Sequence, residues 1–101
     1  MVNVIATVQV KEGKTQEFIK LFKTIVPLVK AEKGCIEYYP TVDLPTGLPP
    51  QDINENVVTI IEKWESLDHL MAHLSTRHMA EHMEKEKDFV EEASIKILQE
   101  A

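Results

Sequence analysis

Four histidines crowd one short stretch of the chain: His69, His73, His78 and His82. Two pairs, His69/His73 and His78/His82, are spaced i,i+4. That spacing sets each pair on one helix face, as a helix does when it offers imidazoles to a metal. Glu81 and Glu84 lie nearby, but no HExxH pattern accompanies them, and the expectation is that no metal is bound. His69 lies opposite the stripe Leu67, Leu70 and Leu74 and is expected to face solvent. His73 sits one helical step off that stripe, at its border. A histidine at such a border can line a cavity between helix and sheet. Imidazole titrates near neutral pH, so it suits proton abstraction there. A partly buried structural histidine fits the same position. His78 falls at a break between two helical pieces, where it either caps a helix or points into the same cavity. His82 shares a face with Met79, Met83 and Phe89, has Glu86 one turn on, and reads as core or cavity wall.

The other chemically interesting residues are on strands. Glu62 and Trp64 share a strand face, and a carboxylate alternating with Ile60 is either exposed or paired. Tyr38 and Tyr39 point to opposite faces of their strand, so one of them faces whatever the helices cover. Met71, Met79 and Met83 make an adaptable wall, or plain core filling. Cys35 follows a helix C-terminus, the unfavourable end for a thiolate, and reads as structural.

These residues need elements to position them. Val2 to Val10 is β-branched and alternating, with Asn3, Thr7 and Gln9 on one parity, and reads as a strand. A turn through Gly13 leads to Thr15, a candidate helix cap. From there to about Lys33 the period becomes 3.6, with Phe18, Leu21, Phe22, Ile25, Leu28 and Val29 as the apolar stripe. Pro27 predicts a kink and Gly34 a stop. Cys35 to Val42 is a second strand. The Pro- and Gly-bearing segment 43–56 is an irregular loop long enough to suspect a lid. Val57 to Trp64 is a third strand whose continuous apolar start suggests a central position. Ser66 caps a helix bearing Leu67, Leu70, Met71 and Leu74. Ser75-Thr76-Arg77 breaks it, a second helical piece carries Met79 through Phe89 and Val90, and Ser94 to Gln99 closes as a strand. The order β-α-β-β-α-β is the ferredoxin-like split βαβ arrangement, an α+β fold with an antiparallel sheet. Two helices cannot serve Ile5, Val58, Ile60 and Ile97 together, so a second copy is expected to cover the other sheet face as a homodimer.

With 101 residues the chain is one domain. Its net charge of −6 argues against nucleic acid. The only basic cluster, Lys20, Lys23, Lys30 and Lys33, is spread along one helix. A single cysteine leaves no internal disulfide framework. The first residues lack the features of a signal peptide, and no stretch is long enough for a membrane span, so the expected location is the cytoplasm.

The segment Val57–His82 resembles the antibiotic biosynthesis monooxygenase family. The shared pattern is Glu62-x-Trp64-x-Ser66, then His73-Leu74 and His78-Met79. Gly34-Cys35 after the first helix and the final Ile97-Leu98 also match. Tyr39-Pro40-Thr41-Val42-Asp43 and the long loop after it bring the chain nearest to the bacterial quinol monooxygenase branch. The resemblance implies a dimeric α+β barrel that oxygenates quinols or polyhydroxylated aromatics with O2, without metal, flavin or haem. A hydroquinone anion is electron-rich enough to reduce O2 itself, so the protein supplies a base, a dry pocket and contacts to the developing oxyanion. His73 is then the expected base or hydrogen-bonding group. Tyr38 or Tyr39, Trp64, Met71, His78 and Met83 would line the pocket, and Asn3 and Thr7 would supply hydrogen bonds.

Some relatives in that family degrade haem with an Asn, a Trp and a His. The matching positions here are about Thr7, His73 and near Met83, so that set is missing. Others isomerise a phosphorylated sugar, which would want a basic residue in the pocket, and Arg77 is the only arginine. An isomerase or lyase acting on a small oxygenated metabolite, or a non-enzymatic ligand-binding stress-response module, are the alternatives.

Overall fold

The computed structural model describes residues 1–101. The elements are β1 (Val2–Val10), α1 (Thr15–Lys30), β2 (Cys35–Thr41), β3 (Val57–Trp64), α2 (Leu67–Leu74), α3 (Arg77–Glu86) and β4 (Val90–Leu98). The four strands form one antiparallel sheet in the order β2-β3-β1-β4. This is the expected α+β, ferredoxin-like arrangement, with the second helix split in two.

Alternation decides what each sheet face carries. Directly opposed residues in an antiparallel pair share a face. Val4 opposes Glu62, Ala6 opposes Ile60 and Val8 opposes Val58. Tyr38 opposes Glu62 across β2 and β3. Val4, Val8, Val58, Ile60, Glu62, Trp64 and Tyr38 are all buried, so this is the face beneath the helices. Phe18, Phe22, Ile25 and Val29 of α1, Leu70 of α2 and Met79 of α3 close the core over it. Each large apolar side chain buried there contributes about 1.5–3 kcal/mol.

Several expectations change. Val58 and Ile60 belong to the helix-covered face, and Ile97 registers with Val4 on that same side. Of the four residues invoked for a second covered face, only Ile5 lies on the open one. Ile95 and Ile97 are half exposed because they sit on β4, at the sheet edge. β4 begins at Val90, four residues early. Phe89 closes a turn with its amide on the Glu86 carbonyl, and its own carbonyl accepts from Lys11, so neither Phe89 nor Val90 belongs to the helix. Thr15 is not a cap: Lys14 takes that position, and the Thr15 hydroxyl donates to the Glu55 carbonyl. Leu28 is half exposed, outside the α1 stripe, and α1 runs through Pro27 to end at Lys30.

The phase of α2 also differs. Its buried residues are Leu70 and His73, while Leu67, Met71 and Leu74 are about half exposed. Ser66 does cap it, accepting from the His69 amide. Thr76 caps α3 by accepting from the Met79 amide. Gly34 has φ +85°, and a Cβ there would lie 2.3 Å from Cγ of His69. Both the left-handed backbone and the close approach of α2 therefore demand glycine. His69, expected in solvent, is half-buried over Gly34 with Nδ1 2.8 Å from Ser66 Oγ.

Candidate active site

Between the sheet and the helices lies a cavity of about 300 Å³. Its floor is Ala6, Ile60, Glu62 and Tyr38, its walls include Phe22, His73 and His82, and Leu74, Met83 and Ile95 stand at its edge. The lining is mostly apolar with a few convergent polar groups, as small-molecule sites usually are.

His73 is 1% exposed, although it is an imidazole at a helix surface. Burial is possible because Nδ1 lies 2.9 Å from Oε2 and 3.1 Å from Oε1 of Glu32. A carboxylate oxygen only accepts, so the imidazole carries its proton on Nδ1 and leaves Nε2 as the free basic nitrogen. Glu32 is held by the turn after α1, where its amide donates to the Val29 carbonyl. The ring of Trp64 lies 4.7 Å from that of His73, and Tyr38 meets it edge-on at 5.4 Å.

His78 Nε2 reaches the same Glu32 oxygen at 2.7 Å. Glu32, His73 and His78 thus bring three possible ligand atoms within 4.8 Å of one another. The spacing arguments paired His69 with His73 and His78 with His82. The fold instead joins His73 to His78 across the α2–α3 break. Both imidazole–oxygen separations are ordinary hydrogen-bond lengths, so one carboxylate satisfies two rings.

Glu62 is the buried, paired carboxylate: 7% exposed, with Trp64 Nε1–H donating to Oε1 at 3.0 Å. Burial raises its pKa, opposed by the Trp64 hydrogen bond and by His73. Burial, with Glu62 foremost among the neighbouring carboxylates, pushes the Tyr38 phenol well above its usual range. The phenol therefore stays a neutral donor. The Cys35 thiol is also raised, by burial and then by Glu32 and Glu62, in keeping with a structural role.

Of the expected pocket residues, His73, Tyr38 and Met83 line the cavity. Trp64 is fully buried and backs His73 rather than facing the cavity. Tyr39, 40% exposed, projects from the other sheet face with Ile61 opposite it. Asn3 and Thr7 also lie on that face, opposite Lys63 and Thr59, because their parity is the reverse of Val4 and Val8. Met71 is on the outer side of α2. His78 lines a separate hollow between α1 and α3. The 43–56 loop contributes nothing to the cavity lining; its Asp43 side chain instead accepts from the Asn54 amide.

Three residues escaped the spacing arguments. Glu32 is 41 positions from His73 and carries no local signal. Ala93 and Ser94 reach the cavity only through the sheet edge.

Similar chains and the same fold are found among known proteins. The curated "Probable quinol monooxygenase YgiN" of Escherichia coli K12 is 41% identical over 101 residues, covering 98% of this chain and 97% of that one. A conserved protein of Methanosarcina mazei Go1 superposes with a TM-score of 0.85 at 28% identity, over 99% of this chain and 92% of that one. The Pseudomonas aeruginosa protein PA3566 shares the fold at a TM-score of 0.81 and 20% identity, over 99% and 93%. The pattern that defines the family described as "Antibiotic biosynthesis monooxygenase" matches residues 1–85. The chain belongs to the antibiotic biosynthesis monooxygenase family.

Proposed function

We propose that this protein is a monooxygenase that oxidises quinols or related polyhydroxylated aromatics with O2, the quinol itself supplying the electrons. The observation that carries this reading is the buried His73, paired through Nδ1 with Glu32 and lining an apolar cavity. The quinol monooxygenase name of the Escherichia coli relative supports it.

In this reading Nε2 of His73 takes a proton from the substrate hydroxyl, and Glu32 holds the resulting imidazolium. The quinolate passes one electron to O2, and the superoxide and semiquinone combine at a ring carbon that bears hydrogen. The hydroperoxide so formed loses water and leaves a carbonyl. The sum is quinol plus O2 giving hydroxyquinone plus water. The apolar walls keep bulk water from the radical pair, while the neutral phenol of Tyr38 donates toward the developing oxyanion.

The protein acts as a homodimer in the same proposal. Ile95, Ile97 and Leu98 on edge strand β4 are 44–51% exposed, and an uncovered edge strand with apolar side chains favours association. The location expected for this chemistry is the cytoplasm; no helix is long and apolar enough to cross a membrane.

The test is oxygen uptake by purified protein with menadiol, without added cofactor, followed by mass analysis after reaction under ¹⁸O2. One labelled atom in a hydroxyquinone product supports the reading. Uptake at the autoxidation rate across several quinols rejects it.

A further inference from the structure

His82 is 3% exposed, and neither of its ring nitrogens has a hydrogen-bond partner. Nε2 lies 2.7 Å from Glu86 Oε2, yet the ring is not aligned to donate to it. A buried unpaired nitrogen is costly, and such groups in native folds usually have a reason. His82 and Glu86 both line the cavity that holds His73. They stand at a different part of its wall, with two aromatic rings between. His73 meets Tyr38 at 5.4 Å, Tyr38 stacks on Phe22 at 5.3 Å, and Phe22 meets His82 at 5.6 Å.

We propose that the His82–Glu86 pair is a second polar anchor, so that the cavity takes an aromatic ring bearing two hydroxyls, one at His73 and the other at His82 and Glu86. A hydroxyl both donates and accepts. It can donate to the Glu86 carboxylate while accepting from the His82 imidazole, which supplies the partner that the buried ring lacks. A quinone carbonyl only accepts and leaves Glu86 unserved, so the anchor favours the reduced ligand over its oxidised form. This inference rests on the quinol reading of the cavity and assigns His82 and Glu86 as specificity-determining residues within it.

The test is calorimetric binding under anaerobic, reducing conditions, comparing 1,4-dihydroxynaphthalene with 1-naphthol. The native protein is expected to prefer the diol by about tenfold. His82→Leu should abolish that preference and leave 1-naphthol affinity unchanged, while its melting temperature holds or rises because an unpaired buried polar group is gone. Glu86→Ala should reduce the same preference, and it carries the test should His82→Leu not fold. Equal losses for both ligands, or an unchanged diol preference in both variants, overturn the proposal. Binding needs no turnover. A diol preference lost in these variants, in a protein that consumes no oxygen, would reject the oxygenase reading and leave the anchor standing.

Discussion

Glu32 Oε2 sits 2.9 Å from His73 Nδ1, joining the turn after α1 to a helix 41 residues later. The contact fixes the tautomer of a ring whose other nitrogen is free in the cavity. Because Glu32 itself does not line that cavity, its effect is on the base rather than on the substrate. Glu32→Gln is therefore expected to lower kcat for quinol oxidation by roughly ten- to a hundredfold, the worth of one charge-assisted hydrogen bond, with KM nearly unchanged. A rise in KM at constant kcat would place Glu32 in substrate binding instead.

Glu62 gives a pH-dependent stability. Its folded pKa is raised by burial, so its protonated form favours the fold. That contribution is complete below the usual carboxylate pKa and is lost as pH rises through the raised folded value. Glu62→Gln removes the loss while keeping an oxygen for Trp64 Nε1–H. The variant is expected to melt higher than the native chain near pH 7 and level with it in acid, by calorimetry at several pH values. A difference independent of pH would count against a buried ionisable Glu62.

Gly34 packs where no side chain fits. A Cβ there would lie 2.3 Å from His69 Cγ, on a backbone at φ +85°. Gly34→Ala should cost about 2 kcal/mol or more and lower the melting temperature by roughly 10 °C. An unchanged melting temperature would mean that α2 can slide away from the α1–β2 turn.

Association is checked by sedimentation equilibrium at micromolar concentration. The expected mass is twice the 11.5 kDa of the chain. A single-chain mass that persists to high concentration would remove the dimer from the account.

Much of the fold was legible because strand alternation is a strong signal. In β3, Val58, Ile60, Glu62 and Trp64 fall on one face by parity alone. The break at Ser75–Arg77 and the Ser66 cap were legible for a similar reason, since both are local chemistry. The phase of α2 was not. Its eight residues carry apolar groups nearly all round, so Leu67, Met71 and Leu74 read as one stripe with Leu70, and His73 read as its border rather than as buried beside Leu70. The start of β4 was hidden by Glu91 and Glu92, which an edge strand tolerates on exposed backbone. His73 could be singled out because it borders an apolar stripe. Glu32 could not, because only tertiary folding brings it there. Asn3 and Thr7 have hydrogen-bonding side chains, but their parity sends them to the opposite face of the sheet.

The central claim is that His73 is the base for quinol oxygenation. It is tested most directly by oxygen uptake with menadiol for the native protein and His73→Ala side by side, each corrected for autoxidation. The account predicts a loss of about a hundredfold or more in the variant, with menadiol still bound and the fold intact by circular dichroism. A folded His73→Ala protein that consumes oxygen at the native rate would contradict it.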